Sequence, residues 1–383
     1  MADASGETYW EYDLCGRLIR EDKTVSGFGS FTTQWAYDSA DQVIAMLYPN
    51  GENVSFSYLP QGGVNTVGAY LMGTQVNAHG QISLRVFGNG TQTSLTYADW
   101  LNNAARLSAL QSGQSASLLN LSFAYDNVGN ILTITDLLNS EQVQTFTYDA
   151  LDRVTSAATS SVGEGQYAQS YGYDPATGNL ASKSDVGAYS YLPAKPHAVT
   201  SAGANSYAYD QNGNMTSRTV DGVVWTYAYN AENQLITTHK NSQLISEYGY
   251  DGDGKRVWAK DYEGYLPDNP RLTVYIGNYY EARVEGYRPP TGGDPVQPCI
   301  APSFCVYFPL VVKSAVENVS YYYADGQRIA MKKDGVVYYL YGDQLGSVSA
   351  VADGFGAMIS RSLYEPWGVT RYQTGSNITD YGF

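Results

Sequence analysis

Tyr125-Asp126-Asn127-Val128-Gly129-Asn130-Ile131 is the stretch that decides the fold, with Phe123 two residues ahead of it. A spacing of two puts the rings of Phe123 and Tyr125 on one face of a strand. The aspartate that follows can bond the backbone two residues on. Gly129 tolerates the left-handed conformation that closes a tight loop. Asn130 and Ile131 then open a return strand, so the segment reads as a β-hairpin.

The same pattern recurs along the chain. Clear copies are Tyr12-Asp13-Leu14-Cys15-Gly16-Arg17-Leu18, Tyr148-Asp149-Ala150-Leu151-Asp152-Arg153-Val154 and Tyr173-Asp174-Pro175-Ala176-Thr177-Gly178-Asn179-Leu180. Two more are Tyr209-Asp210-Gln211-Asn212-Gly213-Asn214-Met215 and Tyr250-Asp251-Gly252-Asp253-Gly254-Lys255-Arg256-Val257. Weaker copies at Tyr37-Asp38 and Tyr229-Asn230 carry Asp41 and Asn233 at the glycine position, residues that also visit positive φ. An aromatic precedes the tyrosine by two residues at Trp10, Trp35, Phe146, Tyr171, Tyr207, Tyr227 and Tyr248. Repeats spaced roughly 20–25 residues apart mark an array and not separate globular domains. Consecutive hairpins are expected to pair edge to edge in one long antiparallel ribbon, an all-β fold. Residues 59–96 and 98–122 fit the unit loosely. Tyr58 and Tyr97 keep its register, Arg106-Leu107 reads as a delayed second strand, and Ala98 to Gln114 has room for a short helix.

Composition agrees with this and excludes other classes. Of 383 residues, 36 are tyrosine, 39 are glycine and only 15% are charged. An apolar fraction of 43% with this many rings argues against disorder. The absence of a long apolar run argues against a membrane-spanning helix. The formal net charge of −15 repels phosphate backbones, so nucleic acid is not an expected partner. The N-terminus, Met1 to Gly6, has neither the basic region nor the apolar stretch of a signal peptide. The chain therefore reads either as exported by another route or as a piece of a larger protein, the second being favoured.

Residues 288–313 break the pattern. They begin Arg288-Pro289-Pro290-Thr291-Gly292-Gly293-Asp294-Pro295, a density of proline and glycine that describes an inserted loop. Cys299 and Cys305 lie within it and would close a small disulfide loop in an oxidising compartment; two thiols that never pair is the other reading. A zinc site lacks a second ligand pair nearby. This divides the chain into a repeat array over 1–287, the loop over 288–313 and a distinct C-terminal region over 314–383.

That region carries Tyr341-Gly342-Asp343-Gln344-Leu345-Gly346-Ser347-Val348, then Tyr364-Glu365-Pro366-Trp367-Gly368 and Asp380-Tyr381-Gly382-Phe383. It resembles the start of the RHS-repeat-associated core, with Asp343, Leu345, Gly346, Ser347, Tyr364, Pro366 and Gly368 on its signature. Gln344 and Glu365 depart from that signature, at positions where the family usually has histidine and often has aspartate. The upstream units resemble the YD repeats of the same RHS/YD family. The resemblance implies a ribbon spiralling into a hollow shell, incomplete here, that encloses or presents a C-terminal toxin or effector. It implies a secreted or cell-surface setting and a partner that is either that effector polypeptide or a delivery-complex protein. Family members typically continue through the core into a self-cleavage motif and a toxin or effector domain; neither is present in this chain, so no autoproteolytic residue is carried over.

No enzyme is expected. His79, His197 and His239 lie far apart and in no catalytic motif. A cryptic hydrolase working through a pair of carboxylates is a second alternative, but the recurring carboxylates are explained by their place in the turn. Asp251-Gly252-Asp253-Gly254 lacks the remaining ligands of a calcium loop. Gly249 to Lys255 has phosphate-loop spacing, but Arg256 stands where a hydroxyl is needed. No cofactor is implied. The alternative to a shell is a surface module whose exposed tyrosines stack on carbohydrate or touch a cell surface, and the direction of the rings discriminates between them. Asn89-Gly90-Thr91 and Asn377-Ile378-Thr379 match the glycosylation pattern through composition alone. An incomplete spiral also leaves a sheet edge through which copies would associate, which light scattering at high concentration tests.

Overall fold

A computed structural model describes residues 1–266, 269–287, 316–376 and 378–379. Among these residues there are 33 strands, and the pairing is antiparallel. Strands pair in chain order: Gly6–Tyr12 with Leu18–Val25, Leu119–Tyr125 with Ile131–Asp136, Met358–Tyr364 with Thr370–Gly375. The all-β ribbon of hairpins expected from the repeats is what the chain forms. A helical turn, Trp100–Asn103, interrupts it, capped by the Asp99 side chain on the Leu101 amide, and a short 3-10 turn follows at Gln114–Ala116. The delayed strand lies between them at Leu107–Ser112.

The repeat adds a feature that spacing alone does not reveal. In each unit the return strand has one residue too many. Ala124 faces Thr133, but Tyr125 faces Ile131, and the same slip falls at Tyr12, Tyr148, Tyr209, Tyr250 and Tyr364. Such a bulge bends the strand and increases its twist. The left-handed turn position is filled as expected, with Gly16 at φ 81°, Asp41 at 61° and Asn233 at 62°.

The chain folds as two compact units, each combining an earlier and a later stretch of ribbon. The first comprises residues 1–55 and 190–321. In it the N-terminal hairpin packs on the strands Asn269–Ile276 and Tyr280–Val284 through Val25, Phe28, Val274, Ile276, Tyr280 and Val284. Burying a side chain of this kind contributes about 1.5–3 kcal/mol. Hydrogen bonds from Tyr279 Oη to Thr33 Oγ1 (3.0 Å) and from Tyr48 Oη to the Tyr321 carbonyl (2.9 Å) hold the same contact. On the opposite face of Tyr280–Val284, Glu281 and Arg283 are buried and paired at 2.6 Å, which answers the cost of placing either charge there.

The second unit comprises residues 56–189 and 322–383. Tyr70 stacks on Tyr322 with centroids 3.6 Å apart, and Phe87 meets Tyr341 edge-on at 5.1 Å. Arg85 bridges to Asp325 (2.9 Å) and Gln327 (2.6 Å). Asn89, in one of the glycosylation-like triplets, is buried and bonded to Tyr341 Oη and the Asp353 carbonyl. Cys15 is an exposed free thiol; Cys299 and Cys305, with the rest of the 288–313 loop, lie outside the described residues.

Candidate functional site

The repeat turn is built around its aspartate. Asp13 Oδ1 accepts from the amides of Cys15 and Arg17, both at 2.9 Å, while Oδ2 accepts from Arg17 Nε at 2.6 Å. Asp126, Asp149, Asp174, Asp210 and Asp251 each accept backbone amides of their own loop in the same way. These bonds favour the ionised carboxyl. The Arg17 amide first among them holds Asp13 below the usual carboxylate range, and the Arg153 side chain does the same for Asp149.

Each turn is then tied to the next. The residue four after the aspartate reaches forward: Arg17 Nη1 to the Asp38 carbonyl and to Asp41, Asn130 Nδ2 to Asp152, Asn214 Nδ2 to Asn233, each at 2.8 Å. The tyrosine reaches back. Tyr148 Oη donates to the Ile131 carbonyl at 2.8 Å, and Ile131 is the residue paired with the preceding repeat tyrosine, Tyr125. The same bond joins Tyr37 to Leu18, Tyr97 to Ile82, Tyr125 to Leu107, Tyr173 to Val154, Tyr229 to Met215, Tyr250 to Leu235 and Tyr364 to Val348. Arg17 and Arg153 also lie over the rings of Tyr37 and Tyr173 at 5.0 and 4.3 Å, a cation–π contact between neighbouring units. The Tyr-Asp element is therefore a fastener between repeats as well as a turn.

Sequence reading missed a unit where its tyrosine is replaced. Val76-Asn77-Ala78-His79-Gly80-Gln81 forms the same loop, with Asn77 Oδ1 accepting from the His79 and Gln81 amides. The signal was an asparagine three residues before a glycine. His79 stacks on Trp100 at 5.3 Å in this loop. The motif that suggested calcium or phosphate is a tie: Asp251 Oδ2 holds Lys23 Nζ at 2.9 Å, and Oδ1 holds the amides of Asp253 and Lys255.

The core signature places its residues on two turns of the second unit. Asp343 Oδ1 accepts from the Leu345 and Ser347 amides, and Gly346 sits at φ 89°. Glu365 to Val369 forms the equivalent loop, with Pro366 and Trp367 at its tip, Gly368 at φ 82° and Trp367 edge-on to Tyr171. Asp343 differs from the repeat aspartates in one respect. Burial pushes its carboxyl up from the ordinary value despite those amides. Asp343 also lines two cavities. The larger, about 750 Å³, is lined by Arg85, Phe87, Leu110, Asp325, Gln327 and Asp343. The smaller, about 190 Å³, is lined by Phe146, Asp136, Arg361, Arg371 and again Asp343.

Residues 82–267 match the family model described as Teneurin YD-shell. The tRNA3(Ser)-specific nuclease WapA of Bacillus spizizenii is 28% identical over 228 residues, which is 51% of this chain and 9% of WapA. Among solved structures, the crystal structure of TcdB2-TccC3 aligns with a TM-score of 0.71 at 17% identity, covering 98% of this chain and 21% of that one. The Tc holotoxin pore of Photorhabdus luminescens aligns with 0.71 at 16%, covering 98% and 20%. The chain thus spans about a tenth of that curated relative and a fifth of those structures. At this identity the structural likeness speaks for the fold.

Proposed function

We propose, from the premise that this chain belongs to the RHS/YD-repeat family and carries its YD-shell fold, that it is a segment of a protein wall which encloses or presents a C-terminal effector polypeptide. The observation that carries the reading is the fastening of the repeats. Tyrosine hydroxyls that would otherwise be free for a ligand are spent on backbone carbonyls of the preceding repeat. Later strands return to pack on earlier ones across 196 to 273 residues within a unit. Both features favour a continuous barrier over a ligand-reading surface. The role is structural, without catalysis of its own, and the working site would be extracellular, in a secreted or surface-borne assembly with the effector or a delivery protein as partner. Among the described residues no helix is long and apolar enough to cross a membrane.

The carbohydrate- or cell-surface-binding reading rests on the rings left exposed, Tyr9, Tyr12, Trp100, Phe355 and Trp367. Tyr9 and Tyr12 share the strand Gly6–Tyr12 and the others lie on separate turns, and among the described residues no pair of them stacks. The test is protection. An unstructured reporter with protease sites is fused after Phe383. Enclosure predicts that the reporter resists protease until the strands unfold. Cleavage at the rate of the free reporter, with the repeats intact, would refute it. Glycan binding lost on Trp100→Ala or Trp367→Ala would instead favour the surface module.

A further inference from the structure

The smaller cavity of the second unit has an electrostatic arrangement that the wall does not need. Two guanidinium groups converge on it. Arg361, 8% exposed, comes from Met358–Tyr364, and its Nη2 is bonded to Asp136. Its Nε is buried without a hydrogen-bond partner. Arg371 sits at the bulge of Thr370–Gly375. Its bonds go to neutral oxygens: Gln142 Oε1 at 2.7 Å, the Gly165 carbonyl at 2.5 Å, and the carbonyls of Tyr364 and Glu164 at 3.2 and 3.3 Å. One bonded carboxylate, Asp136, therefore serves two arginines. Glu365, also on the lining, is engaged elsewhere, by Gln169 at 2.7 Å and Lys183 at 3.7 Å. The Asp343 carboxyl is occupied on one oxygen by its turn amides.

Leu119, Leu121, Ile134, Phe146 and Leu363 give the lining an apolar side, and Gln144, Gln344, Ser349 and Ser362 add neutral polar groups. A volume of about 190 Å³ exceeds the roughly 150 Å³ of an apolar cavity that admits benzene. Two guanidinium groups beside apolar side chains suit a carboxylate attached to a hydrocarbon group, because arginine bonds carboxylate strongly and in a defined plane. We propose that this cavity is a binding site for a small apolar carboxylate, with the carboxylate on Arg361 and the hydrocarbon against Phe146 and its neighbours. A free organic acid and the terminal carboxylate of a hydrophobic peptide share this chemistry.

The test titrates the full chain with phenylacetate and with acetyl-Gly-Phe bearing a free carboxylate, each beside its primary amide, by calorimetry and by the arginine Nε–H signals in NMR. At least one acid should bind saturably, about tenfold or more tighter than its amide, as expected for a charge-assisted bond. The acid should also move the Arg361 Nε–H signal. Binding by phenylacetate assigns a free-acid site, and binding by the peptide alone assigns a peptide terminus. The double variant Asp136→Asn/Arg361→Gln keeps a side-chain pair without charge and should lose the preference for acid. Equal binding of acid and amide, or preference retained in the folded double variant, overturns the proposal. So does the lack of saturable binding up to about 10 mM. If the double variant fails to fold, an Arg361 Nε–H signal that the acid leaves unmoved overturns it as well.

Discussion

Replacing Tyr148 by phenylalanine removes one oxygen and leaves the ring, so it isolates the fastener between repeats. Tyr148 is half-buried, and its hydroxyl donates to the Ile131 carbonyl at 2.8 Å. A net intramolecular hydrogen bond is worth about 0.5–1.5 kcal/mol. The carbonyl left behind is near the surface and regains water, so the loss should fall near 1 kcal/mol and not at the larger cost of a buried orphan. Repeated in eight units, bonds of that size add up to a sum comparable with the roughly 5–15 kcal/mol that holds a typical protein folded. For a unit of this size the single change should lower the melting temperature by about 2–4 °C. The control is Tyr12→Phe: Tyr12 is 59% exposed, and its hydroxyl has no partner among the described residues. That variant should stay within about 0.5 kcal/mol of the parent. Urea unfolding, followed by hydrogen exchange on the Leu119–Asp136 hairpin, reads both. Equal effects at Tyr148 and Tyr12, or exchange in that hairpin unchanged by Tyr148→Phe, would refute the view that the hydroxyl links repeats.

Gly249 lies under the Trp258 indole, where a Cβ would come within 2.2 Å of the ring; Gly249→Ala should destabilise by about 1–3 kcal/mol, and Trp258→Ala in the same chain should remove most of the further cost of that methyl. Burial holds the Asp343 carboxyl above its usual 3.8, so its contribution is full below the unfolded value and is lost as pH rises through the folded one. Asp343→Asn should therefore gain on the parent in melting temperature as pH rises above the ordinary carboxylate range and not below it. Asp13, Asp149, Asp174 and Asp210 are held below 3.8; their contribution has the opposite sign, present above 3.8 and lost as pH falls through the depressed values, so together they should give cooperative acid unfolding by circular dichroism. Arg361→Met should cost about 3–5 kcal/mol by stranding Asp136 in a buried place, and Asp136→Leu/Arg361→Met should recover most of it; a double variant no more stable than the single would refute that account.

What was legible in the sequence is local. Turn chemistry set by Asp126 and Gly129, and strand faces set by the Phe123–Tyr125 spacing, belong to neighbours in the chain. They identified the hairpins and, by repetition, the ribbon. The bulge opposite each repeat tyrosine was not legible, because it depends on a return strand whose pattern alone does not count residues. The Asn77 loop escaped since Val76 keeps the strand but not the ring, while the loop itself needs only an acceptor and a glycine. Least legible was the core turn. Asp343 has the same local bonds as Asp126, yet its environment is set by strands about 200 residues earlier, such as Gln142–Tyr148. The arginine cavity belongs to that class. Asp136 and Arg361 are 225 residues apart, and nothing near either one announces the other.

The excess of tyrosine has a physical explanation at this level. Two rings stand in each unit, and their identities follow different rules. The ring two residues earlier is Trp10, Trp35, Phe123, Phe146, Tyr171, Tyr207, Tyr227 or Tyr248. Its task is apolar cover, which any of the three aromatics performs, and Phe123 and Phe146 are each only 9% exposed. The ring of the motif itself is tyrosine at 12, 37, 125, 148, 173, 209, 229 and 250. Phenylalanine would cover the sheet as well there, but it has no donor for the carbonyl of the preceding unit. Later strands pack on earlier ones within a unit, but that packing does not join one hairpin to the next along the ribbon, which beyond the ladder needs a link of its own. The hydroxyl supplies that coupling at a point where the bulge would otherwise weaken the ladder. On this reasoning the tyrosines at 37, 97, 125, 148, 173, 229, 250 and 364 reflect a demand for donors, repeated at eight joints of the ribbon.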